Sequence, residues 1–354
     1  MLLSKLLLPL NNRWTYLSAK ISGSKKPVDL PTDEIYAGHL LLPEDTRYTD
    51  WISYRVAHTL HYFQSSLLAP APHQKGFAAK VKIAHKGREA DTWITNPSFD
   101  GHGHICGIVA NRTRLAPFRK NEKIIMPVSS ITDWMIIEDG YLTGGYSIRK
   151  GLNTIGAYRK KKLLQLLPYK YDHGHDHFLH DFNTPEGALL CLGDAIDARD
   201  EAYIQECRDF YREAIHLLNT TNDPEIPDTL TEELIALWEK KLTAAFLHLN
   251  LQPDLAPVNK AKRAFYSRRD AEHGVFTVCE VRTCYNPDIT TLHEINVQET
   301  PQGWKVLSHI NDLILSPQPE GYKGPIIDLS GNRVRMYDDE NDPRFIQKYG
   351  YLRL

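Results

Sequence analysis

A single segment, Ile131-Thr-Asp-Trp-Met-Ile-Ile-Glu-Asp-Gly-Tyr-Leu-Thr-Gly-Gly-Tyr-Ser-Ile-Arg149, has the pattern of a β-hairpin. Its two apolar runs flank Glu138-Asp139-Gly140, and Asp-Gly between such runs is a strong turn signal because Gly adopts φ > 0 without steric cost. The pair Gly144-Gly145 has no side chains to pack, which predicts a bulge or a close backbone approach inside the second strand. That strand is predicted to continue through Tyr146 and Ile148.

The residues before the hairpin predict one helix and several strands. Apolar and aromatic residues recur at helical spacing over 45–68, and Pro70-Ala-Pro72 ends that helix. Alternating patterns at 77–83, 90–95 and 105–110 predict antiparallel strands. A helix followed by five or six antiparallel strands is an α+β domain, which we expect at 35–157, after an N-terminal arm at 1–34.

A second α+β domain is predicted at 184–312. Thr184-Pro185 is a favourable helix start, because Thr caps the first turn and Pro needs no hydrogen bond there. Further helices are expected from Asp200 through Leu218 and from Thr231 to Leu249. From 261 the apolar period changes to two, which predicts an antiparallel sheet. A basic and His-rich linker at 158–183 joins the domains, and an extended tail is expected at 313–354.

Composition limits the class of protein. The chain has 354 residues and a formal net charge of −2, so no basic surface indicates nucleic-acid binding. Its five cysteines include no pair at CxxC spacing, which is typical of reduced thiols in a cytosolic protein. The apolar start, Met1–Leu10, is too short to cross a membrane and lacks a small-residue cleavage site. We therefore expect a cytoplasmic protein that contacts neither nucleic acid nor membrane.

Two sets of motifs resemble known families. The first set consists of Arg55–Leu60, Gly76–Lys82, Thr92–Thr95, Gly107–Asn111, Ile131–Met135 and Asp139–Arg149. With these motifs residues 45–150 resemble the bacterial YegJ-like domain of unknown function, which implies a fold and no mechanism. The second set consists of Thr184–Ala188, Ala195–Asp200 and the hairpin Leu292–His309. With these motifs residues 184–312 resemble the nuclear-transport-factor-2-like (SnoaL-like) cone fold. Members of that fold bind small molecules, act as enzymes or pair with proteins, so fold alone assigns no function.

A cone cavity would be lined by inward side chains of the second domain. Glu280 and Arg282 are two residues apart on one strand, so they share a face and are positioned to pair or to hold a polar ligand. His293 beside a carboxylate is suited to acid–base chemistry. The alternative is the solvent side of a half-exposed sheet. The full set of candidate cavity residues is Glu280, Arg282, His293, Tyr203, Tyr211 and Trp238.

The predicted linker contains a dense histidine tract. Imidazole and carboxylate groups suit transition metals, and alternate histidines of an extended chain share a face. A divalent transition metal at His173, His175, His177 and His180 is therefore one hypothesis. The alternative is a solvated linker, because His-rich composition alone is a weak indication of metal binding. No other cofactor is expected.

No nucleophile elbow, P-loop, dinucleotide fingerprint or zinc-protease motif occurs in the sequence. We therefore predict a non-enzymatic protein-binding protein, and an immunity protein that neutralises a bacterial toxin is one form of that role. In this hypothesis the hairpin presents Tyr141 and Tyr146 to the partner. The alternative is a small-molecule binder or an enzyme that uses the cavity of the second domain. The patterns do not determine the oligomeric state.

Overall fold

The computed structural model describes residues 46–85, 87–110, 118–154, 163–220, 230–252, 258–272, 274–285, 288–316, 326–328 and 335–337. The predicted N-terminal arm lies outside these residues. The described chain divides between Gly174 and His175 into two compact units, called unit 1 and unit 2 here. Helices and two separate antiparallel sheets confirm the α+β class. No helix within the described ranges has both the length and the apolar character needed to cross a membrane.

Unit 1 is a six-stranded antiparallel sheet with helices, in the strand order β4-β3-β2-β1-β5-β6. The hairpin is formed by β5 and β6, with Glu138 opposite Tyr141 across the predicted turn. Its elements are α1 (Thr46–Leu68), β1 (Gln74–His85), β2 (Arg88–Phe99), β3 (His104–Val109), β4 (Lys123–Pro127), β5 (Ile131–Glu138), β6 (Tyr141–Gly144) and α2 (Tyr146–Thr154).

Helix α1 covers one face of this sheet. Val56 and Phe63 of the helix are buried against Trp134 of β5, with the Phe63 and Trp134 rings 5.7 Å apart. The Trp134 indole Nε1 donates to the Thr59 hydroxyl at 3.2 Å, so its polar atom is paired inside the core. On the opposite face, Met135 packs with α2 and with residues 163–171 in a second apolar cluster.

The second hairpin strand is shorter than predicted, because it ends at Gly144 and the chain becomes α2. Gly144 and Gly145 both have positive φ, +67° and +63°, and a Cβ at Gly144 would lie 2.5 Å from the Trp134 carbonyl oxygen. The predicted close backbone approach at the two glycines is therefore confirmed, since the Gly145 N–H also donates to the Trp134 carbonyl at 2.6 Å. The alternative of a bulge inside a continuing strand is wrong, because the glycines turn the chain out of the sheet. Tyr146 begins the helix and is 2% exposed, which corrects the expectation that it faces a partner.

The predicted linker is divided between the two units, and several of its described residues are buried or paired with a sheet edge. Lys170 closes the edge of β6, since its N–H donates to the Gly140 carbonyl at 2.7 Å and its carbonyl accepts from Leu142 at 3.1 Å. From His175 on, the chain packs against unit 2, where Asp176 is 2% exposed. The expectation of a solvated linker over 158–183 is therefore wrong for these residues.

Unit 2 carries helices and a four-stranded antiparallel sheet in the order β10-β9-β8-β7. Thr184 and Thr231 cap their helices as predicted, each accepting a backbone N–H three residues on. The elements are α3 (Pro185–Ala198), α4 (Glu201–Cys207), α5 (Phe210–Thr220), α6 (Glu232–Asn250), β7 (Lys262–Glu272), β8 (Val275–Tyr285), β9 (Asp288–Thr300) and β10 (Gly303–Ser316), with a small ladder of β11 (Ile326–Asp328) and β12 (Arg335–Tyr337).

Two boundaries of unit 2 differ from the prediction. The helix expected from Asp200 to Leu218 is broken into α4 and α5, because the chain at Arg208 and Asp209 pairs with Val306 of β10, and the Asp209 N–H donates to the Val306 carbonyl at 3.1 Å. Tertiary pairing with the sheet thus overrides local helix propensity. Strand β10 continues to Ser316, so the first four residues of the predicted tail belong to the sheet.

Candidate functional site

The strongest cavity candidates of the sequence form a buried ion cluster. Glu280 is fully buried and pairs with Arg263, whose Nη2 lies 3.2 Å from Glu280 Oε2, while Arg282 Nη2 lies 3.1 Å from the same oxygen. Burial alone would raise the pKa of the Glu280 carboxyl, yet the charges of Arg263 and Arg282 outweigh it and hold the pKa well below its usual value. The cluster is a structural ion pair. No local pattern of the sequence indicates that Arg263 belongs to it, because its partner Glu280 is 17 residues away along the chain.

Arg263 also connects this cluster to α3. Its Nη2 donates to the Leu189 carbonyl at 3.1 Å, and its Nη1 donates to Asn259 Oδ1 at 2.7 Å. A Cβ at Gly193 would lie 2.8 Å from Nη1, so the guanidinium fills the space under the helix. The donors of Arg263 are therefore occupied by protein groups, which leaves this part of the interior filled rather than open for a ligand.

Of the remaining cavity candidates, His293 is the cross-strand neighbour of Glu280, whereas the three aromatic residues lie on the helices. His293 is opposite Glu280 on β9, and its Nε2 is 2.8 Å from Thr291 Oγ1. Tyr203 packs its ring against Phe182, with centroids 6.4 Å apart. Tyr211 and Trp238 lie on α5 and α6, where the Tyr211 hydroxyl donates to Glu232 at 3.1 Å. These contacts do not join the six candidates in one site.

A polar groove of about 320 Å³ lies where the α4–α5 break meets α6 and the β9–β10 turn. Of the six candidates only Tyr211 lines it. Arg208 also lines it, although the residue is 6% exposed, with its guanidinium 4.1 Å from the Phe246 ring centroid and paired with Glu213. Within the described chain, Arg208 Nε has no hydrogen-bond partner. Sequence reasoning missed Arg208, because nothing local distinguishes it from a surface arginine. The complete lining is Gln205, Glu206, Arg208, Asp209, Phe210, Tyr211, Glu239, Thr243, Thr300, Gln302 and Lys305.

The histidine tract is anchored by several distinct contacts. His175 Nδ1 accepts the Arg263 backbone N–H at 3.0 Å, and its ring packs edge-on against the ring of His177. His180 Nδ1 lies 2.5 Å from Asp194 Oδ2. His173 falls in unit 1. No three metal-ligating side chains among the described residues are grouped to hold a metal ion, so the geometry gives the metal hypothesis no support.

Two carboxylates of the hairpin have structural roles. Asp133 is fully buried and accepts the backbone N–H groups of Tyr146 at 3.1 Å and Ser147 at 2.8 Å, so it caps the first turn of α2 from a neighbouring strand. Burial raises the pKa of the Asp133 carboxyl, and the hydrogen bonds of Ser147 oppose that rise. Glu138 accepts from the Tyr62 hydroxyl at 2.6 Å and the Gln74 amide at 2.8 Å, which ties the hairpin to α1.

Of the two predicted contact tyrosines, only Tyr141 retains exposed surface. It is half-buried, and the Lys170 ammonium lies 5.1 Å from the centroid of its ring. Tyr146 instead packs edge-on against Trp134 and lies under the Arg55 guanidinium, which is 4.2 Å from its ring centroid. The structure thus separates the two residues, one at the surface of the hairpin and one in the core.

Helix α6 exposes two large apolar side chains. Its inner face packs Ile235, Trp238 and Leu242 against α5. On the opposite side Leu237 is 49% exposed. In the last turn Leu249 is 63% exposed, and helical periodicity places it on the same side as Leu242. We call the exposed surface of α6 the α6 outer face, formed by the exposed residues Glu233, Leu237, Lys240, Lys241, Ala244, Ala245, His248 and Leu249.

Comparisons with known proteins concern unit 1. Residues 50–166, about a third of the chain, match the model of a family described as "Uncharacterized protein conserved in bacteria (DUF2314)". This match confirms the expectation of a bacterial domain of unknown function in this part of the chain. No curated protein and no solved structure matches the chain, so the cone-fold likeness of unit 2 has no support from these comparisons. Unit 1 is therefore similar to a bacterial family without a described activity.

Proposed function

We propose that the protein works by binding another protein through the α6 outer face. The observation that carries this proposal is the exposure of Leu237, on the side away from α5, and of Leu249, in the last turn of the same helix. Exposed apolar surface is unfavourable in water by about 25 cal/mol per Å², and a partner that covers it removes that cost.

The charges around this face favour a partner with acidic groups. Lys240, Lys241 and His248 are exposed on the same side as Leu237, and none makes an ion pair with any described residue. These groups outnumber the one exposed carboxylate of that side, Glu233. The Lys241 ammonium lies 5.1 Å from the centroid of the Trp238 ring, which holds it at the edge of the face. Ala244 is small and lies on the same side as Leu237, so a partner backbone can approach α6 closely there.

A pull-down from lysate of the native host, followed by mass spectrometry, tests this function. The Leu237→Glu/Leu249→Glu double variant should lose a partner that the wild-type protein recovers in near-stoichiometric amount. Leu68→Glu is the matched control, because Leu68 is 74% exposed but lies at the end of α1 in unit 1. The proposal is abandoned if wild type and double variant recover the same proteins in the same amounts.

The finer parts of the hypothesis are proposals that build on this one. A cytoplasmic protein of bacterial origin whose unit 1 is YegJ-like would act as an immunity protein if the partner recovered is a toxin. Unit 2 would then supply the binding helix on a cone-fold scaffold. Co-expression with the recovered partner gives the readout: an immunity role requires that the protein restore growth of cells expressing the toxin, and that the double variant fail to do so.

The groove at Arg208 supports a second candidate, binding of a small polar molecule by unit 2. The supporting observation is the unpartnered Nε of a buried arginine at a groove of about 320 Å³, within the described chain. A volume of that order accommodates a small ligand. Native mass spectrometry of protein purified from its host tests this candidate. A retained small molecule that disappears in Arg208→Met supports it, and the absence of any retained mass argues for the protein-binding function alone.

A further inference from the structure

Among the described residues, three of the four edges of the six-stranded and four-stranded sheets are closed, fully or in part, by other segments of the chain. Lys170 closes the edge of β6. Asp176 closes the edge of β7: its backbone N–H donates to the Arg263 carbonyl at 2.8 Å, and its carboxylate accepts the Phe265 N–H at 2.8 Å. The edge of β10 is closed in part by Arg208 and Asp209. No described segment pairs with the outer side of β4, so within the described part of these two sheets its edge is the open one.

The hydrogen-bonding groups that β4 presents outward follow from its register with β3. The Val128 N–H donates to the Gly103 carbonyl and the Val109 N–H to the Glu122 carbonyl, each at 2.9 Å, which points even-numbered residues of this strand toward β3. Because the direction alternates along an antiparallel strand, Lys123 and Ile125 present their N–H and C=O groups outward. Pro127 also points outward and has no N–H to leave unpaired, which is the usual position for proline in a sheet.

The side chains at this edge are suited to an apolar and acidic segment. Ile125 is 61% exposed and lies beside half-buried Cys106, its cross-strand neighbour. Three exposed cations, Arg119, Lys120 and Lys123, lie at the start of the strand and make no ion pair with a described residue. Two copies of this edge would bring their cations together, which disfavours self-pairing. A partner strand with an apolar residue opposite Ile125 and carboxylates near Lys123 would instead offset the charge.

We propose that the β4 edge of unit 1 accepts an extended, acidic segment of a partner protein as a seventh strand of the sheet. The backbone of such a segment pairs with Lys123 and Ile125, its apolar side chain packs on Ile125, and its carboxylates meet the three cations. This inference rests on the proposed protein-binding function but concerns a different surface from the α6 outer face. Strand addition uses main-chain hydrogen bonds for affinity and alternate side chains for selectivity.

The test uses the full-length protein and a synthetic seven-residue peptide of alternating Glu and Val, acetylated and amidated. Binding is followed by NMR, with hydrogen exchange of the β4 amides. The amides of Lys123 and Ile125 should become at least tenfold more protected, whereas those of Ile124 and Met126, already facing β3, should not change. A peptide with Lys in place of Glu should bind at least tenfold more weakly, and a peptide N-methylated at every residue should not bind.

Charge reversal on the protein gives the matched control. Lys120→Glu/Lys123→Glu should reverse the preference between the Glu and Lys peptides, whereas Lys75→Glu, an exposed cation on β1, should leave it unchanged. The inference is overturned by an absence of binding at 1 mM peptide, or by binding without protection of Ile125. Self-association that Ile125→Glu abolishes would assign the edge to a second copy and also overturn it. The peptide is synthetic and the test needs no native partner protein, whereas the pull-down depends on one. The peptide test and the α6 pull-down can therefore fail independently.

Discussion

Replacement of Glu280 by Gln should destabilise unit 2 strongly. The substitution keeps the size of the side chain but removes the negative charge from a site where Glu280 is fully buried and Arg263 is 1% exposed. At an effective dielectric of about 20, unit charges 3.2 Å apart attract each other by about 5 kcal/mol. Arg263 would remain buried without that attraction, and breaking a buried pair in this way costs roughly 3–5 kcal/mol.

The assay is chemical and thermal unfolding, with hydrogen exchange of β8 and β9 amides to report on unit 2 alone. A loss of that size should lower the melting temperature of a unit of this size by roughly 6–20 °C. Glu89→Gln is the matched control, followed by exchange of the β1 and β2 amides because this pair lies in unit 1. Glu89 pairs with Lys82 at 3.1 Å while both side chains are at least half exposed. Solvent screens that pair, so its loss should be a small fraction of the Glu280 cost.

A second variant keeps the reasoning testable if Glu280→Gln fails to fold. Arg263→Met/Glu280→Leu removes both charges together, and replacing a buried pair by apolar groups is often neutral or stabilising. It should therefore be more stable than Glu280→Gln. Equal stability of Glu280→Gln and Glu89→Gln, or a double variant less stable than the single one, would refute the assignment of this cluster as a coupled ion pair.

The same cluster predicts a dependence of stability on pH. The pKa of Glu280 is lower in the folded protein than in the unfolded chain, where it is about 4.3. The unfolded state therefore binds the proton first as pH falls. The contribution of Glu280 to stability should be complete at pH values above the pKa of the unfolded chain, about 4.3, and should decline as the pH falls below that pKa. Unfolding of unit 2 between pH 6 and pH 3 should show this decline, and Glu280→Gln should reduce it.

Three further substitutions test the local structure. Asp133→Asn should cost roughly 1.5–3 kcal/mol, because it weakens charged hydrogen bonds to the first turn of α2, and the exchange of α2 amides should accelerate. Gly144→Ala should cost at least about 2 kcal/mol in unfolding experiments, because φ is positive and Trp134 leaves no room, whereas Gly151→Ala, with nothing within 4 Å, should be neutral or stabilising by up to about 1 kcal/mol. Asp176→Ala should leave the buried N–H of Phe265 on β7 unpaired, at a cost of about 1–3 kcal/mol in the free energy of unfolding. Unchanged hydrogen exchange of the β7 amides in this variant would contradict the role of Asp176 in closing that edge.

The periodicity of the sequence by itself determined most elements of both units. Helical spacing located α1, α3 and α6, alternation located the strands of both sheets, and Thr184 and Thr231 marked helix starts that the structure has. These features depend on local interactions, namely side chains within one turn of a helix or on one face of a strand. The same local information identified the Asp139-Gly140 turn correctly.

Only the tertiary structure decided where those elements end and which charges meet. The sequence pattern around Gly144 fits a bulged strand as well as a turn into a helix, and the buried Asp133 carboxylate, placed by β5, favours the helix. Likewise, Arg208 interrupts a helical pattern because β10 offers backbone pairing. Glu280 pairs with Arg263 because adjacent strands bring them together across 17 residues. Such contacts join distant parts of the chain, so no local pattern encodes them. The contacts that close the β6, β7 and β10 edges, and leave β4 open among the described strands of the two large sheets, are of the same kind.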